Sequence, residues 1–397
     1  MRECQTPCKD REAESRDERF MRMALDLAAR ARGRTSPNPM VGAVIVKDGL
    51  VLGSGFHSAA GRPHAEVEAL NDAASAGLDV RGATLYVTLE PCCHYGRTPP
   101  CTDAVIKSGI TRVVAAMQDP NPLVSGKGFS ALKSAGITVE VGVCENEAHA
   151  LNEVYIKYIT TKRPFVLLKC AMSLDGKIRT ALGESKYITS EESRCKVHSL
   201  RNEMDAVMVG VGTVIADDPL LTVRLTDNAC NTGESEGMAS SIRNPIRIIV
   251  DSRLRLPLDS KVLSGTSRTI IATTVTAEKE ASHRALALKQ KGAEIWPLPE
   301  RDRRVDIVRL MEKCGASGIT SILLEGGPTL AAAALSAGIA DKVLFFYAPM
   351  IFGGVTVPGP VGGEGASYIR DAVRLDRVEV GRSGPDIWVS GYVVGID

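Results

Sequence analysis

The sequence predicts an α/β protein built as two successive domains. Short apolar runs of strand type alternate with helical patterns along nearly the whole chain, which is the pattern of a layered α/β architecture. At 397 residues the chain exceeds what a single hydrophobic core usually serves. A charged, helix-like stretch between residues 145 and 164 marks the end of the first domain. The expected division is a charged tail over residues 1–16, a first domain over 17–150, a linker over 151–164 and a second domain over 165–397.

Each element has its own signal. Over residues 17–32, Phe20, Met23, Ala24, Leu27, Ala28 and Ala31 recur at helical spacing, with Gly33 as the stop. Ser36-Pro37-Asn38-Pro39 forbids a regular element because of its two prolines. Apolar runs at 41–46 and 50–56, joined by Lys47-Asp48-Gly49, predict a hairpin. A helix is expected from His64 to about residue 76 and a strand over 83–89. A second helix enters at Thr98-Pro99-Pro100 and stops at Gly109. Strand, helix and strand follow at 112–117, 127–134 and 137–143. In the second half, strands are expected at 165–170, 206–209, 246–250, 269–273, 319–324 and 342–347, with helices at 190–202 and 329–337. Residues 228–244, rich in Asn, Ser and Gly, read as a surface excursion.

Bulk composition excludes several classes. Hydrophobic residues make up 44% and charged ones 24%, with a net charge of +1. Nothing in that balance draws in nucleic acid. No apolar run reaches the roughly 18 residues of a membrane span, and the charged N-terminus lacks the apolar centre of a secretory signal. Ten cysteines spread over the chain do not make a disulfide framework. Three of them crowd into Cys92, Cys93 and Cys101, which favours a metal site in a reducing compartment, by default the cytoplasm.

The chemistry concentrates between His64 and Cys101. His64-Ala65-Glu66 at a helix start, followed by Pro91-Cys92 and Cys101, fits a zinc nucleobase deaminase. There, one His and two Cys hold one zinc and an unligated Glu shuttles protons. Three protein ligands leave a fourth position for water, as catalytic zinc requires. The metal activates water near neutral pH, and Glu66 carries its proton to the departing ammonia. Cys101 in a first helical turn has its thiolate favoured by the helix dipole. Cys93 and His94 stand as rival ligands. Against a structural zinc scaffold, Glu66 counts as a carboxylate that such a site does not need.

Here the sequence resembles a known family. Pro37-Asn38-Pro39, His64-Ala65-Glu66 and Glu90-Pro91-Cys92-Cys93-His94-Tyr95-Gly96-Arg97-Thr98-Pro99-Pro100-Cys101 are similar to the deaminase half of the bifunctional riboflavin-biosynthesis deaminase/reductases. The eight residues between Cys92 and Cys101 replace the usual two and are characteristic of that family. This argues against the alternatives, a tRNA adenosine or free-cytidine deaminase with an unrelated second domain. The resemblance implies a cytidine-deaminase-like α/β/α domain acting on a diaminohydroxy-phosphoribosylaminopyrimidine, with Asn38, His57 and Arg97 as substrate contacts. An amide can read a pyrimidine edge, and a cation can meet a phosphate.

The second half carries no Rossmann fingerprint, since Ile215 stands where Gly210-Val211-Gly212 would need a third glycine. Better placed is Glu325-Gly326-Gly327-Pro328-Thr329-Leu330, glycines between a buried strand and a helix start that can hold a phosphate. This motif, Lys169-Cys170-Ala171-Met172-Ser173-Leu174-Asp175-Gly176-Lys177, Gly183-Glu184-Ser185-Lys186-Tyr187 and Gly212-Thr213-Val214-Ile215-Ala216-Asp217 match the reductase half of the same family in order. The resemblance implies a dihydrofolate-reductase-like α/β domain that uses NADPH to reduce a ribosyl group to ribityl. NADPH contacts carried over are Ala171, Tyr187, Thr213, Asp217, Ser252, Gly327, Pro328, Thr329, Leu330, Ala331, Ala332 and Ala333. Substrate contacts are Ser185, Arg201, Leu221, Arg224 and Glu325. Members often carry Trp where Tyr187 stands. The family also implies a homo-oligomer acting on pyrimidine ribose-phosphates.

Overall fold

The structure is a computed structural model that describes residues 14–95, 99–225 and 242–394. The chain divides into two compact units after Thr160.

In the first unit, α1 (Arg16–Ala29) begins at a capping box in which Ser15 and Glu18 satisfy each other's backbone N–H. It buries Phe20, Met21, Ala24, Leu25 and Ala28, and ends three residues short of the predicted stop. β1 (Gly42–Lys47) and β2 (Leu50–Phe56) form the expected antiparallel hairpin. α2 (Ala65–Ser75), β3 (Thr84–Val87), α3 (Cys101–Ser108), β4 (Arg112–Ala115), α4 (Lys127–Ser134) and β5 (Thr138–Val141) follow in the predicted order. The strands form one sheet in the order β2-β1-β3-β4-β5, with β3, β4 and β5 parallel. β1, β3 and β4 are buried almost throughout, as strands covered on both faces are.

The stretch expected as a linker, residues 151–164, is mostly helix. α5 (Glu145–Leu151) passes at Asn152 into α6 (Glu153–Thr161), and Tyr155 of α6 joins the first core. Its hydroxyl donates to Asp119 Oδ1 at 2.9 Å. Leu151, Ile156 and Ile159 pack against the same core beside Tyr155, so the stretch belongs to the first unit although charges are interspersed along it.

The second unit opens with β6 (Phe165–Ser173), α7 (Glu191–Glu203), β7 (Ala206–Gly210), α8 (Val211–Asp217), β8 (Ile246–Val250) and β9 (Thr269–Thr274). It continues with α9 (Val275–Glu280), α10 (Ser282–Gln290), β10 (Ala293–Leu298), a short hairpin of β11 (Glu300–Arg301) and β12 (Arg304–Val305), and α11 (Ile307–Ala316). β13 (Ser321–Glu325), α12 (Pro328–Ser336), β14 (Lys342–Ala348), β15 (Arg374–Ser383) and β16 (Asp386–Val394) complete it. Nine strands form a sheet in the order β10-β9-β8-β7-β13-β6-β14-β16-β15. The first seven run parallel, so their C-terminal ends open on one side. β16 and β15 are antiparallel additions at one edge. The sequence reading named neither; β15 is exposed over nearly its whole length and carries no apolar run.

Candidate active sites

The first site gathers where the C-terminal end of β3 meets two helix starts. His64 is the N-cap of α2, and Cys101 is the first residue of α3. Cys92 lies on the loop after β3, where its sulfur accepts from the Cys101 N–H at 3.3 Å and its carbonyl accepts from the Thr102 N–H. His64 Nδ1 sits 3.2 Å from Cys101 Sγ and 3.5 Å from Cys92 Sγ. One ligand atom from each of the three residues lies within 4.8 Å of the others. One imidazole and two sulfurs at that spacing suit zinc. Cys93 and His94, the rival ligands, fall outside this cluster.

Electrostatics support the donor set. Hydrogen bonds from the Cys101 thiol and the His64 ring hold Cys92 well below the usual thiol range against the effect of burial, while Cys101 is pushed up by the same shared bond. Glu66 is 3% exposed. Burial, then the Cys92 sulfur, raise its carboxyl to about 7. It stays outside the donor cluster although it is two residues from His64. That is the state a proton carrier at neutral pH needs.

Asn38 and His57 come to the same place. The rings of His57 and His64 lie edge to face with centroids 5.3 Å apart. His57 Nδ1 is 3.0 Å from the Pro63 carbonyl, which only accepts, so Nδ1 carries the proton. Burial lowers the His57 pKa, keeping the ring neutral and leaving Nε2 as an acceptor. Asn38 Nδ2, 3.1 Å away, therefore donates to it. Its Oδ1 is thereby fixed as the group free to accept from a ligand. Arg97 lies outside the described residues.

Two supporting residues were not singled out from the sequence. Glu90, 3% exposed, accepts backbone N–H bonds from Asp119, Gly126, Gly128 and Phe129. It ties the loop bearing Cys92 to the start of α4. Gly128 is needed there, since a Cβ would fall 2.2 Å from the Pro91 carbonyl. Asn152, 1% exposed, exchanges two hydrogen bonds with the backbone of Met40, at 2.8 and 3.0 Å. It secures the Pro-Asn-Pro segment from a stretch that read as linker.

The second site is a cavity of about 1380 Å³ at the C-terminal ends of the parallel strands. Ligands in open α/β sheets settle at this edge. Ala171, Tyr187, Thr213, Asp217, Ser252, Gly327, Pro328, Thr329, Leu330 and Ala333 line it, as do Ser185, Arg201, Leu221, Arg224 and Glu325. Ala331 and Ala332 do not. Ala331 is fully buried in the core, because the helix turns both side chains away from the face carrying Thr329, Leu330 and Ala333. Gly326 and Gly327 take positive φ, 81° and 76°, and a Cβ on Gly327 would meet Thr213 Oγ1 at 3.4 Å. Gly327 then caps α12, with Pro328 in its first turn.

Glu325 is 8% exposed and bridged by Arg201, whose Nη2 donates at 2.9 Å, with Lys169 Nζ at 3.8 Å. Burial pushes this carboxyl up, but Arg201 and then Lys169 overcome it and hold it at about 2. His198 of α7 is lowered to about 4 by burial, then by Arg201 and Arg224. Its Nδ1 accepts from the Arg224 N–H at 3.1 Å. Ser185 Oγ donates to Asp217 Oδ1. Tyr187 keeps its ring exposed at φ 64°, with the Arg194 guanidinium 5.1 Å from its centroid. Lys169 and His198 are site members that the sequence reading did not assign.

Fold and sites together define a zinc-binding deaminase domain followed by a reductase domain. The family model of the cytidine and deoxycytidylate deaminase zinc-binding region matches residues 14–117, and that of the RibD C-terminal domain matches residues 164–389. A riboflavin biosynthesis protein RibD of Aquifex aeolicus is 45% identical, covering 94% of this chain and 97% of its own. The Escherichia coli protein of the same name is 42% identical over 94% and 98%. Among solved structures, Acinetobacter baumannii RibD superimposes with a TM-score of 0.81 at 38% identity, covering 96% of this chain and 99% of the other. A Thermotoga maritima diaminohydroxyphosphoribosylaminopyrimidine deaminase/5-amino-6-(5-phosphoribosylamino)uracil reductase gives 0.79 at 39% identity with the same coverage. The chain belongs to the RibD family, and is a bifunctional deaminase and reductase of riboflavin biosynthesis with zinc and NADPH as cofactors. Its domains are cytidine-deaminase-like and dihydrofolate-reductase-like. Among the described residues, no helix is long and apolar enough to cross a membrane.

Proposed function

We propose that the first unit deaminates 2,5-diamino-6-hydroxy-4-(5-phosphoribosylamino)pyrimidine, and that the second reduces the ribosyl group of the resulting 5-amino-6-(5-phosphoribosylamino)uracil to ribityl. The observation that carries this reading is the His64, Cys92 and Cys101 cluster with buried Glu66 beside it.

In the deaminase site those three residues hold zinc, which when bound supplies Lewis-acid activation of water. Glu66 takes the proton of the attacking water and delivers it to the amino group that leaves as ammonia. The ring carbon gains a C–O bond and loses a C–N bond, so no oxidant is needed. Asn38, with its amide direction set by His57, accepts from an N–H of the pyrimidine. Arg97 of the family-specific insert is assigned to substrate binding on the resemblance alone.

In the reductase site NADPH, when bound, supplies the hydride. Ala171, Thr213, Asp217, Ser252, Gly327, Pro328, Thr329, Leu330 and Ala333 cradle the cofactor, and Tyr187 stacks on it. Arg201 and Arg224, with forked guanidinium groups suited to phosphate, receive the ribose-phosphate together with Ser185, Leu221 and Glu325. The reading extends to a cytoplasmic homo-oligomer that needs no nucleic-acid partner.

The test gives the purified enzyme the diaminopyrimidine phosphate and follows ammonia and NADPH together. Ammonia release is expected, with NADPH oxidation dependent on the deaminated product and neither signal from cytidine or tRNA. Ammonia from cytidine at a comparable rate would overturn the substrate assignment.

A further inference from the structure

Helix α7 carries His198, Arg201 and Asn202 at three- and four-residue spacing, so their side chains leave one face of it. All three hold chain that has no regular structure, residues 218–225 and 242–245. Arg201 Nη1 donates to the Thr222 carbonyl at 3.1 Å, and Asn202 Oδ1 accepts from the Arg243 N–H at 2.9 Å. His198 Nδ1 accepts from the Arg224 N–H at 3.1 Å. The two segments are joined to each other by the Val223 N–H, which donates to Asn244 Oδ1 at 2.8 Å.

These bonds do different work. Those of Arg201, Asn202 and Asn244 fasten the segments as a whole, and Arg201 is committed to Glu325 as well, through Nη2 at 2.9 Å. The His198 bond falls on the one residue of residues 222–225 that lines the cavity, Arg224. The backbone leading there has no ladder to stiffen it. Asp218 and Leu221 take positive φ, 42° and 53°, which residues with a Cβ hold only where their surroundings impose it. The Arg224 side chain is weakly held in its own right, since Nη1 stands 3.5 Å from Thr222 Oγ1. Where its guanidinium points therefore follows from where its backbone is fixed, and His198 fixes it.

The ring must be neutral to do so, because a protonated imidazole donates on both sides and accepts on neither. Burial, then Arg201 and Arg224, outweigh Glu325 and lower the His198 pKa to about 4. Nδ1 thus stays a bare acceptor at neutral pH. A lysine or arginine in this place would have no atom to offer the Arg224 N–H.

We propose that His198 positions Arg224 for the phosphate of the pyrimidine substrate, and so sets how strongly the reductase prefers the phosphorylated pyrimidine to its dephosphorylated form. This rests on the reading above that Arg224 receives the ribose-phosphate. His198 takes no part in hydride transfer.

The experiment follows NADPH oxidation by the zinc-loaded full chain on 5-amino-6-(5-phosphoribosylamino)uracil and on its dephosphorylated form. Variants are His198→Ala, His198→Asn and Arg224→Met. His198→Ala should raise KM for the phosphorylated substrate about 10-fold, with kcat, the NADPH dissociation constant and kcat/KM on the dephosphorylated form all within about 2-fold. Asparagine keeps an acceptor near the place of Nδ1, so His198→Asn should bring KM back to within about 3-fold of the unmutated enzyme. An unchanged KM in His198→Ala, an equal loss on both substrates, or no recovery with asparagine overturns the proposal. So does a fall in kcat at unchanged KM, which would give His198 a part in the reaction itself. If Arg224→Met raises KM while His198→Ala does not, the assignment of His198 alone falls. If Arg224→Met leaves KM for the phosphorylated substrate unchanged, the phosphate reading of Arg224 falls and the proposal with it.

Discussion

Two carboxylates in the deaminase unit are both buried, yet their surroundings give them opposite tasks. Glu90 meets four N–H donors and is a fixed acceptor, whereas Glu66 is raised to about 7 and is free to exchange a proton. Glu66→Gln should therefore keep zinc near one per chain while ammonia release falls by about 10²- to 10⁴-fold; metal analysis beside the ammonia assay checks both halves. Glu90→Gln turns an amide N–H₂ against backbone donors. It should cost about 1–3 kcal/mol in denaturant unfolding and lower zinc occupancy. The sequence exposed the first residue and hid the second. Histidine and glutamate two apart, with Pro-Cys downstream, form a chemical pattern. The role of Glu90 depends on a turn some thirty residues away, which no local spacing reveals.

At the scale of elements, the helices of the first unit, α7, α12 and most parallel strands were legible because their apolar patterns have clear periods or their ends carry Pro or Gly, whereas α8 to α11 were not read. The exposed β15 and the two-residue strands of the β11–β12 hairpin have no such period. The stretch holding α6 read as helix-like but as a linker; its place in the first unit rests on Tyr155, Ile156 and Ile159 and on Asn152 just before it. Asn152→Ala should release the Met40 backbone and with it Asn38. The expected result is a higher KM for deamination at nearly unchanged NADPH oxidation on the deaminated substrate. Equal damage to both reactions would show general unfolding instead. In the reductase unit, the contact between α7 and the end of β13 is pH-sensitive through Glu325. The unfolded carboxyl protonates near 4.5 but the folded one only near 2. Its stabilisation is complete above about 4.5 and is lost as pH falls toward 2. His198 adds the same sign at higher pH. Its folded pKa, about 4, lies below the free value of 6.5, so the unfolded chain binds the extra proton and stability declines from 6.5 downward. Arg201→Met should raise the Glu325 pKa and move the acid unfolding midpoint upward.

Across the whole molecule, each unit has its own hydrophobic core and its own site, so the two chemistries separate by mutation. The most direct measurement is the balance of products in the unmutated enzyme and in Glu66→Gln, each supplied with the diaminopyrimidine phosphate, zinc and NADPH. The unmutated enzyme should release one ammonia for each NADPH consumed. Glu66→Gln should do neither, yet oxidise NADPH normally when given the deaminated pyrimidine. Undiminished ammonia release by the zinc-loaded Glu66→Gln enzyme would contradict the account.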